Sequence, residues 1–130
     1  MIEFQRAIYD RLDDLLSVPV YDHVPQPVDA GLPFEFVTIG EDTFEPFDTD
    51  QTIGYTVVAS VHTWVRERGR KRTKEIQQQI YNALHRFDLS VSGFDTINLA
   101  FEYADSAMDV DGLTRHGVQR FRALLDEVSQ

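Results

Sequence analysis

The 130-residue chain contains no cysteine. That excludes disulfides, thiolate metal sites and cysteine nucleophiles, and fits a reducing compartment or a fold that needs no covalent staple. No apolar run approaches the roughly 20 residues of a membrane-spanning helix. The N-terminal stretch MIEFQRAIYD carries Glu3 and Asp10 and lacks the basic flank and apolar segment of a secretory signal. Synthesis and residence in the cytoplasm, with no membrane partner, are therefore expected. Positive charge is scarce: 12 Lys and Arg stand against 22 Asp and Glu, giving a formal net charge of −10. Such an excess repels polyanions and argues against generic nucleic-acid binding.

Chemical motifs are equally sparse. No glycine-rich phosphate loop of the form G-x-x-x-x-G-K-[ST] occurs, and Ser60, Ser90, Ser92 and Ser106 lie in no nucleophile elbow. His23, His62, His85 and His116 show no metal-ligand spacing. The stretch DVDG (109–112) starts like a calcium loop, but position 12 of that loop must be Glu and here it is Arg120. A turn is the simpler reading, because Asp and Gly both favour turns. Paired acids such as Asp13 and Asp14, or Asp48 and Asp50, are too common in so acidic a chain to mark acid–base partners. The expectation is a protein with no catalytic residues, no metal and no cofactor.

What remains is the composition of a globular chain, 42% hydrophobic and 26% charged, long enough for one domain over residues 1–130 with a real core. Phe4, Ile8, Leu12, Leu15 and Leu16 follow helical spacing and predict a helix over 3–16, ended by Pro19. VYDHV (20–24) suits a short edge strand. PQPVDAGLP (25–33) reads as a loop, FEFVTIGE (34–41) as a strand, and EDTFEPFDTD (41–50) as an acidic connection. In TIGYTVVASVHTWVR (52–66), Ile53, Tyr55, Val57, Ala59, Val61 and Val65 share one face of a long strand. Ile76, Ile80, Ala83, Leu84 and Phe87 form the apolar stripe of a second helix, 70–87. INLAFEY (97–103) alternates, with Ile97, Leu99, Phe101 and Tyr103 on one face. DVDGLTRHG (109–117) is a turn, and VQRFRALLDEV (118–128) a final strand. The order α-β-β-β-α-β-β predicts an α+β fold: an antiparallel sheet of about four to five strands with two helices on one face.

The charge is unevenly distributed. Residues 1–65 are net −10, residues 66–86 net +5, and residues 87–130 net −5. RERGRKRTKE (66–75) holds six of the twelve cations: Arg66, Arg68, Arg70, Lys71, Arg72 and Lys74. Arg70, Lys71, Arg72 and Lys74 avoid the apolar stripe, so a solvated helix face accommodates them. Yet they stand on the first turn or so of a helix, where each cation opposes the macrodipole by about 0.3–1 kcal/mol. Folding alone prefers acids there, which points to an anionic partner: carboxylates of another chain, a phosphate backbone, or the chain's own acidic segment. That segment carries Glu41, Asp42, Glu45, Asp48 and Asp50, with Phe44 and Phe47 between them. Aromatic residues in an exposed loop suit an interface, where they dominate contact energy.

Three stretches together resemble the tail-completion, or tail-terminator, family of long-tailed phages and phage-like particles such as gene transfer agents. PFEFVTIGEDT (33–43) is similar to the family's Pro-aromatic-Val-Thr-Ile-Gly strand and acidic turn. VHTWVRERGRKRTKEIQQQIYNALH (61–85) is similar to its tryptophan-bearing strand, Gly break and basic helix ending Ala-Leu-His. DVDGLTRHGVQRFRALLDE (109–127) is similar to its Asp-Gly-x-x-Arg-His-Gly turn and final strand. The resemblance implies a structural virion protein without a catalytic motif, made in a bacterial host's cytoplasm. Such proteins assemble as a ring, usually six-fold, on the head-proximal end of the tail tube. The ring ends tube polymerisation, offers the surface that joins the head connector, and lets DNA pass through its lumen without specific binding. The expected partners are thus other copies of the chain, the tail tube protein and the head connector or adaptor. A ring needs two different patches that meet between neighbours, and the basic segment and the acidic loop are the two candidates. Two other readings stay open: a head-side connector or adaptor of the same particle, and a nucleic-acid module using residues 66–74.

Overall fold

The computed structural model describes residues 2–22, 35–40, 43–46, 53–66, 69–110 and 112–128. The elements are α1 (Ile2–Leu15), β1 (Val20–Tyr21), β2 (Glu35–Ile39), β3 (Thr43–Pro46), β4 (Gly54–Val65), α2 (Lys71–Leu84), β5 (Phe94–Met108) and β6 (Arg115–Glu127). They build a six-stranded sheet of order β1-β2-β4-β6-β5, with β3 also paired to β4. Its axis is the antiparallel β4–β6 ladder, in register from Gly54↔Asp126 to Val65↔Arg115. β2 pairs with one half of the free edge of β4 and β3 with the other half. The α+β architecture is the one the sequence predicts. The sheet has one strand more than the predicted range, and its β1–β2 pair is parallel.

Period-two alternation in β4 and β6 sends Val57, Ala59, Val61, Phe121, Ala123 and Leu125 to one face, where all are buried. Against it lie the apolar stripes of both helices, Phe4, Ile8 and Leu12 from α1 and Ile76, Ile80 and Leu84 from α2, in one continuous core. Each such side chain contributes about 1.5–3 kcal/mol by leaving water. The loop 25–33 expected from its prolines and glycine lies outside the described residues.

Four local expectations are corrected. The acidic connection 41–50 contains a strand, β3, because Thr43, Phe44 and Glu45 alternate and Pro46 is tolerated on an edge strand. Ile97, Leu99, Phe101 and Tyr103 do not share a face. Register shifts at Thr96/Asn98 and Phe101/Tyr103 each insert an extra residue into β5, so Leu99 is buried while Ile97 is 56% and Tyr103 46% exposed. The turn is also shorter and the strands around it longer than expected, β5 running to Met108 and β6 starting at Arg115. Finally, α2 stops at Leu84 rather than 87. His85 is extended and Arg86 is left-handed, with φ 59°.

The early stop of α2 has a tertiary cause. Arg86 N–H donates to Leu99 O at 2.7 Å, and His85 Nδ1 accepts from Phe101 N–H at 3.0 Å. About two turns earlier, Gln77 Nε2 donates to Asp105 O at 3.2 Å. The helix therefore satisfies outward-facing backbone groups of β5, an edge strand that would otherwise invite pairing with another chain. Its N-terminal half lies close against β6 at Gly117, where a Cβ would stand 2.6 Å from Gln77 Nε2 and 3.1 Å from Thr73 Cγ2.

The opposite sheet face carries an aromatic ladder. Tyr21 meets Phe36 edge-on at 5.8 Å, Phe36 stacks on Trp64 at 6.2 Å, and Trp64 stacks on His116 at 3.8 Å. His62 Nδ1 and His116 Nε2 are 2.7 Å apart, a hydrogen bond in which one ring donates and the other accepts. Trp64 Nε1 donates to Thr38 Oγ1 at 3.1 Å. Trp64 and His116 thus cover part of each other's ring faces.

Two outcomes are expected. Gly117→Val should destabilise the chain by about 1–3 kcal/mol through overpacking, read from urea unfolding, and adding Gln77→Ala should recover part of the loss because the two side chains collide. The second concerns acid. Burial lowers the pKa of both histidines; the neighbouring ring lowers His62 further, while Asp109 partly offsets the shift of His116. A native pKa below the unfolded value of about 6.5 means the unfolded chain binds protons first, so stability should fall as pH drops below about 6.5. His62→Gln should flatten that dependence, with Trp64, the chain's one tryptophan, as the fluorescence reporter.

Candidate subunit interface

The basic segment begins where β4 ends. Arg66 is exposed and engaged within the chain, and Arg68 lies outside the described residues. Arg70 is the residue before α2 and provides no side-chain cap, and no acid stands in the first helical turn. The unfavourable dipole arrangement predicted from sequence is therefore present in the fold. Arg70, Lys71 and Lys74 are exposed and form no ion pair among the described residues.

Arg72 differs from its neighbours. Its Nε and Nη2 donate to the two carboxylate oxygens of Glu35, both at 2.7 Å, a bidentate pair. Glu75 adds a weaker contact at 3.5 Å. The hydrogen bond from Arg72 holds the Glu35 carboxyl below its ordinary pKa, and Glu35 in turn raises that of Arg72. Both side chains are only about a third exposed or less, so Arg72 is a tether between α2 and β2. The segment's outward charge comes from the cations around it. A second tether, Arg115 Nε donating to Gly69 O at 3.0 Å, ties the start of α2 to the β5–β6 hairpin.

Of the acidic segment, Phe44 and Glu45 are described, while Glu41, Asp42, Phe47, Asp48 and Asp50 lie outside the described residues. Phe44 is half exposed and packs edge-on against Tyr55 at 5.6 Å, which meets Phe94 at 5.9 Å. Glu45 is exposed and sits opposite Thr56.

These placements give the chain a polarity. Glu35 and Arg115 both pair with Val65, so the basic start of α2 lies at the Val65 end of β4. Phe44 and Glu45 lie near its Gly54 end. Eleven steps of about 3.3 Å each separate the two ends by roughly 36 Å. At the Gly54 end, residues 43–46, 53–56, 94–97 and 124–128 include Glu45, Asp95, Asp126 and Glu127 and neither Lys nor Arg, while Arg122 of β6 is near enough to interact electrostatically with Glu45. The outward cations Arg70, Lys71 and Lys74 stand too far away to pair with Glu45 of the same chain. Sequence spacing could not show this, because residues 45 and 70 are close in the chain and the long strand between them carries them apart. The acidity of the Gly54 end also draws on β5 and β6, which no local charge run announces.

Known proteins match this chain. The sequence profile of the family described as tail completion protein gp17 matches residues 6–126. The tail completion protein gp17 of Bacillus phage SPP1 is 28% identical over 90 residues, covering 69% of this chain and 66% of that protein, just under two thirds of its length. Among solved structures, a chain in the virion of a native gene transfer agent particle superposes with a TM-score of 0.79 at 23% identity, covering 94% of this chain and 93% of that one. The structure of the bacteriophage SPP1 gp17 protein superposes at 0.59, also at 23% identity, covering 99% and 91%. The two superpositions speak for the fold, and the profile match over nearly the whole chain speaks for descent. The chain belongs to the tail completion protein gp17 family.

Proposed function

We propose that this chain, acting as one domain, caps the head-proximal end of the tail tube as a ring, ends tube polymerisation and presents the surface that joins the head. Family membership supports a place in the tail. The observation that carries the ring is the subunit's polarity: an uncapped basic helix start at one end of β4 and an acidic, aromatic surface at the other. A ring is closed by a heterologous contact between two different patches of one subunit. Patches of opposite charge at opposite ends satisfy that requirement, whereas within one chain they cannot neutralise each other. Arg70, Lys71 and Lys74 then face the segment 41–50 of a neighbour, Phe44 and Glu45 included, with Arg66 and Arg68 beside them. Arg72 serves the contact by fixing the direction of α2.

A six-copy ring carries six times −10, roughly −60 formal charge, which repels a duplex and lets it pass without adhering. The partners above and below are the head connector and the tail tube protein. DNA is cargo of the channel and has no binding site on the ring.

Exchanging Arg70, Lys71 and Lys74 for Glu should abolish ring assembly in sedimentation velocity. The isolated fold should become more stable by about 1 kcal/mol, because acids at a helix start agree with its dipole. Unchanged rings would refute the charged contact. Deleting the gene should leave filled heads beside overlong or unjoined tails in electron micrographs, whereas normal joined particles would sink the tail-completion role itself.

A further inference from the structure

Nine large hydrophobic residues are exposed among the described residues, and six of them, Phe44, Ile53, Ile97, Val110, Leu113 and Val128, lie at the two ends of the sheet. Single exposed hydrophobics need no explanation, but grouping at opposite ends does. At the Gly54 end, Ile53 lies opposite Glu127 and Val128 opposite Gly93, so alternation along the strands turns Ile53 to the face of Tyr55 and Val57 and Val128 to the other face. Glu127 N–H donates to Ile53 O at 2.7 Å, and Val128 N–H donates to Gly93 O at 3.0 Å. Ile53 is 51% exposed, and Phe44, 50% exposed and opposite Val57, lies on the same face and packs against Tyr55, which meets Phe94. The result is an apolar floor with Glu45, Asp95, Asp126 and Glu127 around it.

The Val65 end carries the counterpart. Beyond Met108 and Arg115 the β5–β6 hairpin turns through a tip in which Val110 is fully exposed and Leu113 is 54% exposed. Backbone hydrogen bonds set the tip: Asp109 N–H to Thr114 O at 2.7 Å and Gly112 N–H to Asp109 O at 3.0 Å. Asp109 Oδ1 accepts from Val110 N–H at 2.8 Å, and Gly112 takes the positive φ of 68° that the turn requires. Through the Arg115–Gly69 hydrogen bond the tip stands beside the basic start of α2.

We infer that the hairpin tip of one copy seats on the apolar Gly54 end of the next. The inference rests on the ring reading and names the apolar centre of its contact, Val110 and Leu113 against Phe44 and Ile53. The occupant is a second copy because the two surfaces complement each other in both respects. Apolar tip meets apolar floor, and the cations Arg70, Lys71 and Lys74 beside the tip, which outnumber its own Asp109 and Asp111, meet the carboxylates flanking the floor. An apolar centre within a charged rim is the usual anatomy of a protein interface. The contact joins different surfaces of one subunit, as a closed ring requires.

The chain's lack of cysteine makes the test clean. Particles assembled from a mixture of Val110→Cys and Ile53→Cys chains should yield a covalent dimer on oxidation, and chains carrying only one of the two substitutions should not. In sedimentation velocity of the purified chain, the double change Val110→Asp with Leu113→Asp should weaken ring assembly at least tenfold, leaving the circular-dichroism melt unchanged since both sites are exposed. Wild-type chains that form no rings in either setting overturn the ring reading, and this contact with it. Rings that form normally from the Asp variant, without any cross-link between copies, overturn this contact alone. A Val110→Cys link to a different tail or head protein also overturns it, assigning the tip to the adjoining ring.

Discussion

The antiparallel ladder between β4 and β6 is the constraint on which the rest of the molecule depends. Twelve residue pairs hold the two strands in one register, and because side chains alternate along a strand, that register decides which residues form the core and which face outward. A slip of one residue would send Val57, Ala59 and Val61 to the open face and put Ser60 and His62 under the helices. The same ladder sets the length of the subunit and so the separation of its two ends. β2 and β3 are positioned by the free edge of β4, β5 by the free edge of β6.

The helices are fixed by this frame in unequal ways. α1 is held mainly by apolar burial through Phe4, Ile8 and Leu12. α2 is held by burial and by polar tethers along its length. Arg72 binds Glu35 at its start, Gln77 and His85 bind the β5 backbone farther on, and Arg86 completes the stop. This anchoring matters because the first turn of α2 carries exposed cations and no cap. The local helix signal is poor there, and the tertiary contacts maintain it. A helix start kept basic at some cost to folding is consistent with selection for assembly over stability.

Much of the fold is legible without coordinates. The helix stripes, the alternation in β4 and β6, and the basic segment are all written in residue spacing, because burial on one face leaves a period of 3.6 or 2. The family resemblance is legible for the same reason, in short ordered stretches. What escapes is whatever depends on residues distant in sequence. The bulges that turn Ile97 and Tyr103 outward arise where β5 must stay in register with β6. The end of α2 at Leu84 is imposed by Leu99 and Phe101 rather than by a glycine or proline. His62 and His116 look like isolated histidines until adjacent strands bring their rings within 2.7 Å.

The two candidate patches divide along the same line. The sequence by itself determined that one segment is basic, another acidic and aromatic, and that the chain has a single α+β pattern, since composition and periodicity are local properties. Only the tertiary structure decided that Arg72 turns inward to Glu35 while its neighbours stay free of ion pairs among the described residues. It also decided that the two patches stand at opposite ends of β4, and that apolar residues from separate strands gather beside each. Those facts depend on which strands pair and in what register, and pairing is set by the summed burial of the whole core.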